Sequence, residues 1–427
     1  MSVFDRTGRL VSRSSIVGAV DLWSPDGLNG NARRVAEALR ARGPSTRAQL
    51  ARVTHLSRPT VSTTITELTG AGIAAELAPG QDGQSGHSGA EAVGSADGVS
   101  QERSSAGRPA GVVRLTRRAG LAVGVDVGRR HIRVAVADVG HEIMLETGAR
   151  LDEDADDTPE PVLDRAASMI ETALTTINAE HSEVVGVGMG VPAPMTLDGR
   201  IGAPRLLPGW GELWPGRELG GRLGIPVLVN NDANLGALGE FHWGAGRHAS
   251  VLVYIKLATG IGAGIVLDGQ LFRGSAGTAG ELGHITIDAR GPVCRCGNRG
   301  CVELSAGGRA LVAQARLTYP ELADVSDLVA MANSGDPGCR RLLTDAGTQI
   351  GLALSGLVNL INPERIILGG ELGNAADLML DPLRRGLSES AMPAAVETVT
   401  VLPGELGDRA AALGGVLLVM RSPVIAR

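Results

Sequence analysis

The chain has 427 residues, 43% of them hydrophobic and 20% charged, which is too long for one compact core and ordinary for a globular protein of roughly two to four domains. A net charge of −6 excludes a chain that is basic throughout, and an aromatic content of 2% argues against stacking platforms for single-stranded nucleic acid. No apolar run reaches the ~20 residues that a membrane helix needs, and the opening MSVFDRTGRL lacks the apolar stretch of a signal peptide, so a cytoplasmic protein without a membrane partner is expected.

Residues 1–30 lack sustained periodicity and are expected to form a mobile N-terminal segment. Residues 31–78 read as three helices. Asn31–Arg42 carries Val35, Ala38 and Leu39 on one face, and Gly43-Pro44 breaks it. Ser45 or Thr46 can cap a second helix, with Leu50 and Val53 facing inward. Ser57 can cap a third, with Pro59 in its first turn and Val61, Ile65 and Leu68 on one apolar face. Residues 79–106 hold six Gly, six Ser and two aliphatic residues larger than Ala, too little apolar surface to offset the ordering entropy; a flexible insertion is expected.

From about residue 120 the pattern becomes mixed α/β. Leu121–Val127, His131–Asp138 and Glu142–Thr147 read as successive strands, Pro161–Ile177 as a helix, and Val184–Val191 as a strand. Val227–Asn230 is short and apolar, and strands recur at Val251–Lys256 and Ile261–Leu267. The tail alternates helix (Cys339–Leu360), strand (Arg365–Leu368), helix (about 376–389), strand (Thr398–Leu402) and helix (about 408–420). Two such units in succession suggest a pair of similar α/β domains.

A small three-helix unit has a known physical use: its third helix enters the major groove and its first residues reach base edges. Here those residues are Ser57, Arg58, Thr60, Ser62 and Thr63, and Arg58 is suited to bidentate pairing with guanine. Residues 31–78 contain seven Arg against three Glu, leaving about −10 for the rest of the chain, an asymmetry that suits phosphate contacts at one end. Segments around Ala74–Leu77 and Gly111–Leu115 would form a β-wing, with Arg108 at its base as a phosphate or minor-groove contact. The alternative is a helical interaction domain with a solvated charged face.

The segment GELGHITIDARGPVCRCGNRGC holds His284, Cys294, Cys296 and Cys301. One imidazole and three thiolates match a closed tetrahedral zinc site, and four protein ligands leave no open position, so the metal would be structural. A redox pair is the alternative. Cys339 lies outside the cluster and is expected to be an ordinary buried thiol.

Three Gly-rich turns follow strands or lie between them: Asp126 with Gly128, Thr259 with Gly260 and Gly262, and Gly369-Gly370. Each can be a structural turn; together they point to a nucleotide cleft, or to descent from one. Asn231, Asp232 and Asn234 follow a strand, where a carboxylate can take a proton from a sugar hydroxyl. Glu281, His284 and Glu303 add polar groups of the kind polyols need, since each hydroxyl both donates and accepts. Surface acids and helix caps are the competing account, which fits Asn234 best.

The motifs GELGH…CRCGNRGCVE, VNNDANLGALGE and NLINPERIILGG resemble those of the ROK family (repressors, open reading frames and kinases), and more narrowly its sugar-responsive transcriptional regulators. The resemblance covers about 31–78 and 107–420. It implies an α/β, actin-like (ribonuclease H-like) two-lobed fold preceded by an α+β winged helix-turn-helix domain. It implies zinc on His284, Cys294, Cys296 and Cys301, and sugar contacts from Asn231, Asp232, Glu281, His284 and Glu303. In kinase members the residue matching Asp232 is the catalytic base. The chain departs from the kinase pattern in three places. Arg129 and Arg130 stand where a small Gly-Thr pair ends the first phosphate loop. Ala258 replaces a usual Gly, and Arg205-Leu206-Leu207 precede Pro208 where an Asn is common.

The expected organisation is a winged helix-turn-helix domain over 31–118, a first lobe over 119–235 completed by a helix at about 408–421, and a second lobe with the zinc loop over 236–407. The expected function is that of a DNA-binding regulator, a repressor, controlled by a sugar or sugar derivative and acting as a homodimer or homotetramer on double-stranded operator DNA. The alternative is a sugar kinase using ATP and Mg2+, with a DNA-binding appendage.

Overall fold

The structure is a computed structural model that describes residues 3–4, 10–11, 28, 30–77, 111–151, 155–156 and 158–422. In the N-terminal module, helix Gly30–Arg42 buries Ala32, Val35, Ala36 and Leu39, a spacing that keeps one face inward. Thr46 and Gln49 form a reciprocal capping box at the start of helix Arg47–Thr54, so Thr46, not Ser45, is the cap. Ser57 caps helix Arg58–Gly70 by accepting from the Thr60 amide at 3.2 Å, and Val61, Ile65 and Leu68 are buried beneath it. Strands Ser45–Thr46, Val112–Leu115 and Ala74–Leu77 make a small antiparallel sheet in which Ala74 faces Leu115. The expected wing insertion 79–106 and Arg108 lie outside the described residues.

Two larger sheets follow. The first has seven strands in the order Leu10–Val11, Val3–Phe4, Val227–Asn231, Val184–Val191, Leu121–Val127, His131–Asp138, Ile143–Arg150. The second has five, in the order Gln270–Phe272, Ile261–Leu267, Val251–Leu257, Arg365–Gly369, Thr400–Pro403. Leu121–Val127 and Val184–Val191 are buried along their whole length, which is why they read as apolar and Gly runs, broken only by Asp126, and not as alternating ones. The hairpin of Val3–Phe4 and Leu10–Val11 corrects the expectation for those four residues: backbone hydrogen bonding to Val227–Asn231 places them at a sheet edge, something that side-chain periodicity cannot report. Most of the rest of 1–30 lies outside the described residues.

Helix Ala410–Arg421 lies on the first sheet and helix Asp232–Trp243 on the second, and the two helices pack against each other. Every residue from Ala410 to Met420 is buried, as expected of a helix covered on all sides. Glycines set the spacing. A Cβ on Gly124 would lie 1.8 Å from the Ala412 carbonyl oxygen, and one on Gly414 would lie 1.8 Å from that of Leu235. The N-terminal module is continuous with this core: Val35, Leu39 and Leu115 belong to one apolar cluster with Leu235, Leu413 and Met420.

Candidate functional site: an interlobe cleft and a thiolate–imidazole cluster

A cleft of about 610 Å³ opens between the two sheets. Asp126, Gly128, Asn231, Asp232, Thr259, Gly260, Gly262, Glu281, His284, Glu303 and Gly370 all line it. The folded chain thus brings together residues spread over 245 positions of sequence. Gly369 sits one residue further back in its strand, where an added Cβ would meet the Tyr254 hydroxyl at 2.4 Å; its glycine serves packing.

Asn231 ends its strand and caps helix Asp232–Trp243, with Oδ1 accepting from the amides of Ala233 at 2.9 Å and Asn234 at 3.1 Å. The helix-cap account therefore belongs to Asn231; Asn234 is buried and donates to Asn230 Oδ1. Asp232 projects from the first helical position and is 8% exposed. Its Oδ2 lies 2.9 Å from Lys256 Nζ, and the same ammonium stands 3.4 Å from Asp126 Oδ2. Lys256 is the chain's only lysine, on the central strand of the second sheet. Burial opposes its charge, but the two carboxylates outweigh burial and hold it protonated well above the ordinary lysine range. Burial alone would raise Asp126; Lys256 and His131, whose Nε2 is 3.1 Å away, pull it down to about 2.

Sequence reasoning missed Lys256. The available signal was a solitary lysine in an arginine-rich chain, set inside an apolar strand next to a Gly loop. It also missed Asp156, around which three guanidinium groups gather. Arg129 pairs with it, and Arg295 and Arg309 approach it to 3.6 Å each. Arg129 folds back to donate to the Leu206 carbonyl at 3.1 Å and is buried, whereas Arg130 is exposed at the cleft rim. Arg205 points to solvent while Leu206 lines the cleft.

Glu303 Oε2 accepts from the Ile261 amide at 3.0 Å, tying the Thr259–Gly262 turn to the short helix that follows Cys301. Burial, with Asp232 and Glu303 close by, pushes Glu281 up to about 7.

Behind Glu281, one donor atom from each of His284, Cys294, Cys296 and Cys301 lies within 4.8 Å of the others. The Cys296–Cys301 sulfur separation and the Cys294 Sγ–His284 Nδ1 separation are both 3.7 Å. Tetrahedral zinc–thiolate bonds of about 2.3 Å set sulfurs roughly 3.8 Å apart, so the donor set fits that ion. Nδ1 faces the thiols, which leaves Nε2 turned toward Glu281 Oε2 at 4.0 Å. One ring can therefore serve both the metal cluster and the cleft. Cys339 is buried and apart from the cluster.

In the N-terminal module, Ser57, Arg58, Ser62 and Thr63 are exposed at the start of helix Arg58–Gly70, and Thr60 is half-buried. Ser57 Oγ lies 2.8 Å from Thr60 Oγ1, so these two are partly engaged in capping. Among the described residues, no helix is long and apolar enough to cross a membrane.

Comparison with known proteins places these features. The ROK family profile matches residues 122–422. The chain is 29% identical over 385 residues to the xylose repressor of Bacillus subtilis (strain 168), covering 90% of this chain and 93% of that protein. It is 31% identical over 312 residues to the glucokinase of Halalkalibacterium halodurans, covering 70% and 94%. Among solved structures, a ROK family transcriptional regulator described as a homologue of the E. coli MLC protein matches with a TM-score of 0.68 at 26% identity, covering 93% of this chain and 96% of that one. A ROK family glucokinase from Streptomyces griseus, in complex with glucose and AMPPNP, matches with a TM-score of 0.61 at 29% identity over 71% of this chain. The two-lobed fold is the actin-like one, and the chain belongs to the ROK family.

Proposed function

We propose that the protein is a sugar-responsive transcriptional repressor whose interlobe cleft senses the effector and whose winged module holds operator DNA. The observation that carries the reading is the Lys256 bridge. A catalytic base must be free to take a proton from the sugar, and Asp232 instead holds an ammonium at 2.9 Å. The same ammonium stands beside Asp126, where a kinase would gather metal and nucleotide. The extent of the likenesses supports the choice. The regulators named above span 90% and 93% of this chain, the kinases 70% and 71%.

In this reading Asn231, Asp232, Glu281, His284 and Glu303 offer the hydroxyl contacts. The surviving Asp126, Gly128, Thr259, Gly260, Gly262 and Gly370 are a vestigial nucleotide cradle. His284, Cys294, Cys296 and Cys301 hold a structural zinc ion, which when bound fixes the loop from Glu281 to Glu303. The units at 31–118, 119–235 with 408–421, and 236–407 serve as reader and two sensor lobes, and a dimer presents two readers to a two-fold site. Ser57, Arg58, Thr60, Ser62, Thr63 and Arg108 are the DNA-facing set. The sugar acts by binding one lobe arrangement more tightly than the other.

The test is fluorescence anisotropy of zinc-loaded protein on DNA from upstream of its own gene, with and without a panel of sugars and sugar phosphates. Specific binding that one sugar weakens is the expected result. No specific binding, together with sugar-dependent ADP release from ATP, would overturn the reading in favour of a kinase.

A further inference from the structure

The helix that begins at Asp232 ends beneath the DNA-binding module. At 12 residues it is about 18 Å long, and glycine contacts pin it on two sides. Gly414 and Gly239 press it against helix Ala410–Arg421, and a Cβ on Gly264 would lie 2.4 Å from the Ala233 carbonyl oxygen. So tightly seated a helix moves as a rod. Its last turn carries His242, whose Nε2 is 2.7 Å from His141 Nδ1. His141 Nε2 is in turn 2.7 Å from the carbonyl oxygen of Arg40, in the last turn of helix Gly30–Arg42.

Proton positions in this chain follow from its end. A carbonyl only accepts, so His141 Nε2 carries a hydrogen; in a neutral ring Nδ1 then accepts, and His242 Nε2 donates to it. Burial favours neutral rings, pushing His242 well below the usual imidazole range and His141 down to about 4. His141 sits in a turn with φ of 74°, and its ring lies 3.4 Å from where a Cβ on Gly43 would be. Trp243 packs edge-on against His242 at 4.4 Å. Both imidazoles are therefore fixed in place as well as in tautomer.

We infer that helix Asp232–Trp243 is the rod that couples the cleft to the DNA-binding module, and that His242 and His141 are the positioning residues which deliver its movement to Arg40. The inference rests on the sensor–regulator reading and names the route by which that sensor acts. An effector that engages Asn231 and Asp232 competes with the Lys256 bridge and resets the rod at its start. The hydrogen-bonded imidazoles pass the displacement to the backbone of the first DNA-module helix. Neither histidine is among the residues that line the cleft.

The test uses the full-length protein, DNA from upstream of its own gene, and D-xylose, D-glucose and N-acetyl-D-glucosamine as probes. His242→Phe removes the donor and keeps a ring beside Trp243; His242→Gln restores an N–H. Calorimetry reads sugar binding and anisotropy reads DNA release. The expected result is unchanged sugar affinity in both variants. The sugar-induced change in operator Kd falls to less than about two-fold in His242→Phe and recovers in His242→Gln, against the roughly 5- to 150-fold usual for such coupling. A His242→Phe protein that binds sugar and releases DNA as the wild type does overturns the proposal. Should His242→Phe fail to fold, His141→Asn interrupts the same chain, since Asn tolerates the positive φ. If no probe binds the wild type, the sensor reading fails, and hydrogen exchange tests the rod alone. Asp232→Asn should then speed amide exchange in residues 36–42, and His242→Phe should abolish that response. Exchange there that ignores Asp232 overturns the rod.

Discussion

Lys256 Nζ lies 2.9 Å from Asp232 Oδ2, and this one ammonium also neutralises Asp126. All three groups are at most 9% exposed. Removing the cation would leave two carboxylates facing each other out of water. Lys256→Met is expected to cost about 3–5 kcal/mol, the usual penalty for breaking a buried ion pair on one side. Urea unfolding measures it, and adding Asp126→Asn should recover part of the loss.

The exposed start of helix Arg58–Gly70 makes a separable prediction. Arg58→Ala should weaken operator binding by about 1–3 kcal/mol if it reads a base, with the melting temperature unchanged. Ser57→Ala should instead cost about 1 kcal/mol of stability through loss of the cap. Anisotropy and thermal melts distinguish the two.

Loss of the metal should blind the sensor before it frees the DNA. The four residues proposed to hold it, His284, Cys294, Cys296 and Cys301, lie between Glu281 and Glu303, far from the N-terminal module in sequence. Cys296→Ser, or treatment with a strong chelator, is expected to abolish sugar binding by calorimetry while operator affinity stays within about two-fold, less than ~0.5 kcal/mol. Bound zinc, measured by atomic absorption, should fall from one ion per chain to none.

The buried imidazoles predict an acid sensitivity. Folded His141 has its pKa lowered to about 4, whereas an unfolded histidine takes a proton below about 6.5. Between those values the unfolded chain binds more protons, so stability is complete above pH 6.5 and is lost as pH falls toward 4. His141 contributes up to about 1.4 kcal/mol per pH unit there, and His242 adds in the same direction. Charges of Arg40 and Arg421 nearby reinforce the effect on His141. Melting temperatures from pH 7.5 to 5 should fall less steeply in His141→Asn.

Gly414→Ala and Gly356→Ala form a matched pair. The first puts a methyl 1.8 Å from the Leu235 carbonyl oxygen and should cost about 3 kcal/mol or more. The second meets nothing within 4 Å inside helix Pro337–Ile361 and should stabilise by about 0.5–1 kcal/mol.

Much of this was legible in the sequence, for identifiable reasons. Ser57, Pro59 and the spacing of Val61, Ile65 and Leu68 are local signals, and the third helix forms where they place it. The ligand cluster was legible because four rare donors fall within 18 residues. What escaped was long-range. Nothing local says that Lys256 meets Asp126 across 130 positions or that Arg295 meets Asp156. The short helices Glu303–Ala306, Gly308–Ala315 and Val325–Asn333 also went unassigned, since few residues establish a period. His141 and His242 carried no signal at all, because their meaning is the contact between them.

The solitary lysine has a further consequence. Folded, the protein keeps its one side-chain amine inside the lobes, held between two carboxylates. Acylating reagents, enzymatic or synthetic, therefore meet that ε-amine only by way of the interlobe cleft that Lys256 lines. An amine-selective label then becomes a gauge of the cleft: the rate at which Lys256 is modified follows how firmly Asp126 and Asp232 hold its ammonium, and an effector that takes Asp232 away should change it.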